Sequence, residues 1–167
     1  MHAMAIVAAA LVVHAPQEVV YSLSQDISVR PSWDKFTTHM DMADGSPYFV
    51  RQGSRVVVRA RPGVQMTVEF TEIDAPNRVT VRMVAGPRLL EHFSGTWTFE
   101  KVDDKATLVH FDYDIAVRKG ALRAPLQWLA EYVLGKIVLQ RLEGLKRYGE
   151  HVAKLRNMPP PLRNFTL

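Results

Sequence analysis

The sequence predicts an α+β domain in which one long helix packs on one face of a curved antiparallel sheet of about seven strands. Three observations carry that reading. Apolar and polar residues alternate with the period of a half-buried strand through most of the chain from Phe36 to Arg118. Near the C-terminus the period lengthens, and Leu126, Leu129, Val133, Ile137, Leu145, Tyr148 and Val152 fall at helical spacing. The strand-like runs are divided by brief turn signals ("RPG", "DAPN", "GP"), which suit antiparallel neighbours but are too short for parallel crossovers.

Ala3 to His14, "AMAIVAAALVVH", is predicted as the first strand. A secretory signal would need a basic stretch ahead of the apolar run, and only Met1 and His2 stand there. A cleaved signal is the alternative reading of this segment. "APQEVVYSLSQDI" follows as a short helix: Pro16 suits its first turn, Gln17 and Glu18 its positive end. "SVRPSWDKF" is a second short helix or turn, broken by Pro31. Strands are then expected at Phe36–Ala43, Phe49–Arg61, Val64–Ile73, Asn77–Ala85, His92–Val102 and Ala106–Arg118. The last helix should run from Pro125 to Leu155, about 46 Å at 1.5 Å per residue. Its internal Gly135, Gly144 and Gly149 either bend it or let it approach the sheet closely. Residues 1–156 are read as a single domain and 157–167 as a mobile tail.

Composition narrows the function. The chain of 167 residues has no cysteine, which excludes disulfides, thiol nucleophiles, Cys-ligated zinc and iron–sulfur clusters, and makes the cytoplasm the default compartment. Net charge is +4, but the densest basic set, Arg51, Arg55, Arg59 and Arg61, is interleaved with valines on one strand; this argues against a nucleic-acid footprint. No apolar run approaches the ~20 residues of a membrane span, so stable membrane insertion is not expected. The six histidines show no zinc-site spacing, and there is no phosphate loop or nucleophile elbow. No metal and no cofactor are predicted.

Alternation assigns the faces. His39, Arg51, Arg55, Arg59, Glu69, Arg82, His110, Asp112 and Asp114 share the wet face, where cross-strand pairs are worth about 0.2–1 kcal/mol each. The inward face takes Phe36, Thr38, Met40, Met42, Gln52, Ser54, Met66, Phe70, Met83, Phe93, Trp97, Phe99, Phe111 and Tyr113. Its polar groups are all neutral. The hairpin "HFSGTWTFEKVDDKATLVHFDYDIAV" puts more large apolar surface on that face than a small sheet needs, which raises the question of what covers it.

The order and spacing of several motifs answer it. "VVHAPQEVVYSLSQDISVRPSWDKF", "GPRLLEHFSGTWTFEKVDDKATLVHFDYDI" and the terminal "LEGLKRYGEHV" together resemble the START-like, helix-grip (SRPBCC) superfamily, in particular its polyketide cyclase/dehydrase and lipid-transport branch, over about Ala3 to Leu155. The resemblance implies a sheet curled around the long helix and an internal cavity for a hydrophobic ligand. Candidate lining residues are Met40, Gln52, Ser54, Met66, Phe70, Met83, Trp97, Phe111 and Tyr113, with Trp33 at the mouth or anchoring its helix, and Trp128 and Tyr132 facing the cavity or a partner subunit.

Cyclases of this family that aromatise polyketides generally use a cavity arginine on a strand. The corresponding strand here, "VQMTVEFTEI", has none. Arg51, Arg55 or Arg82 turned inward by a bulge, or Tyr48, Tyr113 or His92 near the mouth, are the substitutes, and no catalytic residue is assigned. The expected function is polyketide cyclase-like: a poly-carbonyl chain, presented by an acyl carrier protein, is enclosed and folded for ring closure. The alternatives are a non-enzymatic lipid or quinone carrier and a protein-interaction module, the last of which requires a filled core and an exposed apolar patch.

Overall fold

The computed structural model describes residues 5–157 apart from Tyr48. The elements are β1 (Ala5–Val13), α1 (Gln17–Gln25), α2 (Arg30–Trp33), β2 (Thr37–Met42), β3 (Arg55–Ala60), β4 (Val64–Asp74), β5 (Arg78–Ala85), β6 (Leu90–Asp103), β7 (Ala106–Val117) and α3 (Arg123–Asn157). Of the predicted tail 157–167, Asn157 is the last residue of α3 and the rest lies outside the described residues, as do Ala3 and Met4 of the predicted first strand.

The seven strands form one sheet in the order β1-β7-β6-β5-β4-β3-β2. Every neighbouring pair is antiparallel. Strands β2 to β7 make the predicted meander, and β1 returns beside β7 with Ala9 opposite Phe111. The N-terminal apolar run is therefore an edge strand, alternately half-buried and exposed along its length. Two side chains bind the β6–β7 hairpin to the α1 region: Gln17 Nε2 donates to the Phe99 carbonyl at 2.8 Å, and Thr107 Oγ1 donates to the Ala15 carbonyl at 2.8 Å.

Two departures from the predicted strands matter for the site. The expected Phe49–Arg61 strand begins only at Arg55. Gly53 has φ +85°, a left-handed conformation that interrupts an extended run, and the Ser54 N–H closes a turn on the Arg51 carbonyl at 2.9 Å. In β2 the pairing with β3 shifts between Thr37 and His39. This bulge turns Thr37 into the interior and Thr38 out, reversing the simple alternation at that end of the strand.

Helix α3 packs against β1, β7, α1 and α2, and it stands off from β2 to β5. The interior consequently divides. One core lies under the helix, with Val109, Leu142 and Leu145 fully buried; a second joins Ile27 to Met40, Val56, Val68 and Val79 on the far strands. The space between them is not filled. No helix among the described residues is long and apolar enough to cross a membrane.

Candidate functional site

That space is a cavity of about 350 Å³. Its floor is the concave face of the sheet: Met40, Met66, Phe70, Trp97, Phe111 and Tyr113, all predicted on sequence, lie on its wall. Its roof is one stripe of α3, Ala130, Val133, Leu134, Ile137 and Arg141. Exposed residues among the lining mark the mouth: Arg61 and Pro62 from the β3–β4 turn, Leu89 from the β5–β6 turn, and Val133 from α3.

The aromatic floor is built by cross-strand pairing. Trp97 stands opposite Phe111 in the β6–β7 register. The two rings stack with centroids 3.9 Å apart, and Phe99 extends the stack at 6.2 Å. Tyr113 stands opposite Gly95. A Cβ at Gly95 would lie 3.1 Å from the Tyr113 ring, so the missing side chain lets the phenol lie across the neighbouring strand.

The floor ends in a charged corner that the alternation of the strands did not show. Asp34, at the C-terminus of α2, is fully buried at 0% exposure, between Arg30 at 9% and Arg141 at 7%. Arg30 Nε donates to Asp34 Oδ2 at 3.1 Å, and Arg141 Nε lies 2.9 Å from the same oxygen. The Thr37 hydroxyl donates to Oδ2 at 2.8 Å, and the amides of Phe36 and Thr37 donate to Oδ1 at 3.1 and 3.3 Å. Arg141 also donates to the Tyr113 hydroxyl, and through Nη2 to the Thr37 hydroxyl at 3.1 Å. Arg30 Nη1 donates to the Ser24 carbonyl at 2.7 Å.

Burial by itself would raise the Asp34 carboxyl, but Arg141, Arg30 and the Thr37 hydroxyl outweigh it and hold the group below the usual carboxylate range. Burial raises the Tyr113 phenol above its ordinary value against the opposing pull of Arg141, so it stays a neutral donor. Burial also lowers the Arg30 guanidinium, with Asp34 opposing. The corner therefore presents fixed donors and no free base: Asp34 is ionised, but its oxygens are already occupied.

Six of the predicted lining residues stand elsewhere. Gln52 and Ser54 belong to the turn that Gly53 creates; Gln52 Nε2 donates outside to the Thr71 carbonyl at 3.0 Å, and Ser54 Oγ accepts the Arg51 amide at 3.0 Å. Trp33 is buried behind the wall, edge-on to Trp97 at 6.2 Å with Arg30 4.6 Å over its ring. Met83 packs beside the core at the open end of β5 and does not reach the cavity wall. Trp128 and Tyr132 stack on each other at 5.9 Å on the surface of α3, with Lys136 Nζ 4.4 Å over Tyr132; they are 67% and 53% exposed. The substitute arginines point outward as well, Arg55 pairing with Glu69 at 2.9 Å and Arg82 with Glu69 at 3.5 Å. His92 lies 3.6 Å from Asp114 away from the cavity, and Tyr48 is outside the described residues.

Comparison with known proteins fits this architecture. A family model described as polyketide cyclase/dehydrase and lipid transport matches residues 4–150. The chain belongs to that family. No curated protein matches it in sequence. Among solved structures, the family fold is shared with the ZhuI aromatase/cyclase from Streptomyces sp. R1128, at 15% identity and a TM-score of 0.82 over 93% of this chain and 99% of that one. A protein from Thermus thermophilus is 22% identical, with a TM-score of 0.71 over 89% and 99% of the two chains. A START superfamily protein from Mycobacterium smegmatis is 16% identical, with a TM-score of 0.63 over 90% and 98%. At these identities the likeness is one of fold.

This family member thus carries its cavity arginines on α2, on α3 and in the β3–β4 turn rather than on a strand. One signal for Arg141 was present in the sequence: it falls four residues after Ile137 and four before Leu145, on the apolar stripe of the helix. Arg30 and Asp34 sit in a short broken segment where no periodicity applies.

Proposed function

We propose that the protein encloses a flexible, largely apolar molecule bearing oxygen functions, and acts in the manner of a polyketide cyclase by fixing the fold from which a poly-carbonyl chain closes a ring. The observation that carries this reading is the pairing of an apolar, aromatic-floored cavity with a single corner of preorganised donors, Arg30, Arg141 and Tyr113. Stacked rings hold the chain by dispersion and area burial. Donors fixed at one end orient a carbonyl and stabilise negative charge that develops on its oxygen. A methylene between two carbonyls is acidic enough that the main contributions left to the protein are proximity and orientation. The family description and the aromatase/cyclase name of the Streptomyces neighbour support the reading. An acyl carrier protein is the partner that would present such a chain, and the cytoplasm is the compartment we assign to it.

A carrier of a lipid or quinone is the second reading. It is favoured by the corner's chemistry: Asp34 is saturated with donors and the Tyr113 phenol is raised, which leaves neither poised to take a proton near neutral pH. The interaction-module reading needs a filled interior, and the cavity of about 350 Å³ among the described residues weighs against it. Native mass spectrometry separates the first two. Under the cyclase reading the purified protein is free of tightly held lipid and changes the product profile when added to a reconstituted polyketide synthase; a co-purified lipid or quinone with no effect on products sinks it in favour of the carrier.

A further inference from the structure

We propose that the charged corner is a receptor for one anionic oxygen head, so that the natural ligand is an amphiphile whose acid group, a carboxylate or the enolate of a 1,3-dicarbonyl, rests against Arg30, Arg141 and Tyr113. The proposal rests on the reading that the cavity takes a small hydrophobic molecule, and names the chemistry of that molecule.

The argument begins with charge. Two guanidiniums meet one carboxylate in the corner, which leaves one positive charge over. All three side chains are buried. Among the described residues no Asp or Glu lines the cavity to balance the excess, and the remaining polar wall residues close by, Ser24, Gln25 and Thr37, are neutral. Tyr113 supplies no counter-charge, because burial keeps its phenol protonated. Arg61 at the rim adds further positive charge. An uncompensated buried cation is costly in apolar surroundings, and a ligand anion is the component that relieves it.

Donor geometry leads to the same place. Asp34 already receives two amides, one hydroxyl and Arg30 Nε while lying against Arg141 Nε, so it cannot take either guanidinium in the two-bond fork that carboxylates prefer. Arg141 Nε, though 2.9 Å from Asp34 Oδ2, makes no aligned hydrogen bond and is buried without a partner among the described residues. Arg141 and Tyr113 both line the cavity. A planar head with two oxygens matches this set; an alcohol, an ester or a hydrocarbon end does not.

The test compares matched probes on the full chain, by displacement of Nile red and by titration calorimetry at pH 7.5. Decanoate is set against methyl decanoate and 1-decanol, and 2-octylcyclohexane-1,3-dione, an enolate at that pH, against its methyl enol ether. At least one acid should bind tenfold or more tightly than its neutral partners, and which acid wins distinguishes a fatty-acid head from a polycarbonyl one. Acidifying through the winning acid's own pKa should erase its advantage in the wild-type protein, which makes the test independent of any variant. Arg141→Met and Arg30→Gln should each bring the acid-to-alcohol affinity ratio down to about one, whatever they do to the affinity for 1-decanol itself. Neutral probes that bind as tightly as the acids overturn the proposal and leave the cavity reading intact. If no probe binds at all, the cavity reading fails and this proposal fails with it.

Discussion

Asp34 is the residue on which the interior charge depends. Removing its charge would leave two buried guanidiniums facing each other, and breaking a buried pair in this way typically costs about 3–5 kcal/mol. Asp34→Asn should therefore lower the free energy of unfolding by that amount, measured by urea denaturation at pH 7. The pH dependence follows from the direction of its shift. Arg141 from α3 and Arg30 from α2 hold the folded carboxyl below its unfolded value of about 3.9, with Tyr113 from β7 facing the same cluster as a neutral group. The unfolded chain then binds the proton more readily, so the stabilisation is complete above about pH 5 and is lost as pH falls through the folded value. Wild-type stability should drop more steeply between pH 5 and pH 3 than that of Asp34→Asn; parallel slopes would show that Asp34 is not held by its arginines. This corner was the least legible part of the sequence. Aromatic wall residues such as Trp97 and Phe111 announce themselves by alternation, whereas Arg30 and Asp34 lie in a turn and Arg141 looks like a solvated helix charge unless its stripe is counted.

At the scale of elements, α3 meets its neighbours at closely specified points. Gly144 lies against the Trp33 carbonyl, and a Cβ there would clash with a backbone oxygen that cannot rotate away. Gly135 faces Val7, whose Cγ1 is 3.6 Å from where a Cβ would stand, an ordinary contact. Both positions gain about 1 kcal/mol of helix propensity on going to Ala, yet the outcomes should differ in sign. Gly135→Ala should raise stability by about 0.5–1 kcal/mol. Gly144→Ala should lower it by about 1–3 kcal/mol, with α2, and hence Asp34, displaced from the arginines. Chemical denaturation of the two variants settles the matter; equal effects would mean that the helix is not pressed on α2. The sequence offered a bend or a close approach to the sheet for these glycines; at Gly144 the close approach is instead to a carbonyl on α2, far earlier in the chain. It likewise foretold the meander but misplaced the start of β3. Gly53 in "RQGSR" is a turn signal that the flanking valines concealed, and its misreading carried Gln52 and Ser54 into a wall they do not reach.

For the molecule as a whole, the decisive property is that the helix leans on β1 and β7 and stands off from β2 to β5, roofing the space above them. At about 24 cal/mol per Å³, a space of about 350 Å³ kept dry would forgo about 8 kcal/mol, which rivals the entire stability of an ordinary domain. Stability and ligand binding are therefore linked in this fold, and two valines on one strand can separate filled from unfilled interior. Val79 and Val81 share the inward face of β5. Val79 is 1% exposed in the packed second core, opposite Trp97. Val81 is opposite Gly95 and lines the cavity. A phenyl ring at position 79 has nowhere to go, so Val79→Phe should cost about 1–3 kcal/mol. At position 81 the same ring enters open space beside Phe70 and gains buried apolar area, so Val81→Phe should leave stability unchanged or raise it by about 1 kcal/mol. It should also weaken Nile red binding at least tenfold, because it occupies the volume the probe needs. If Val81→Phe is as destabilising as Val79→Phe, then the helix and the far strands close on each other in solution, and there is no room for a guest.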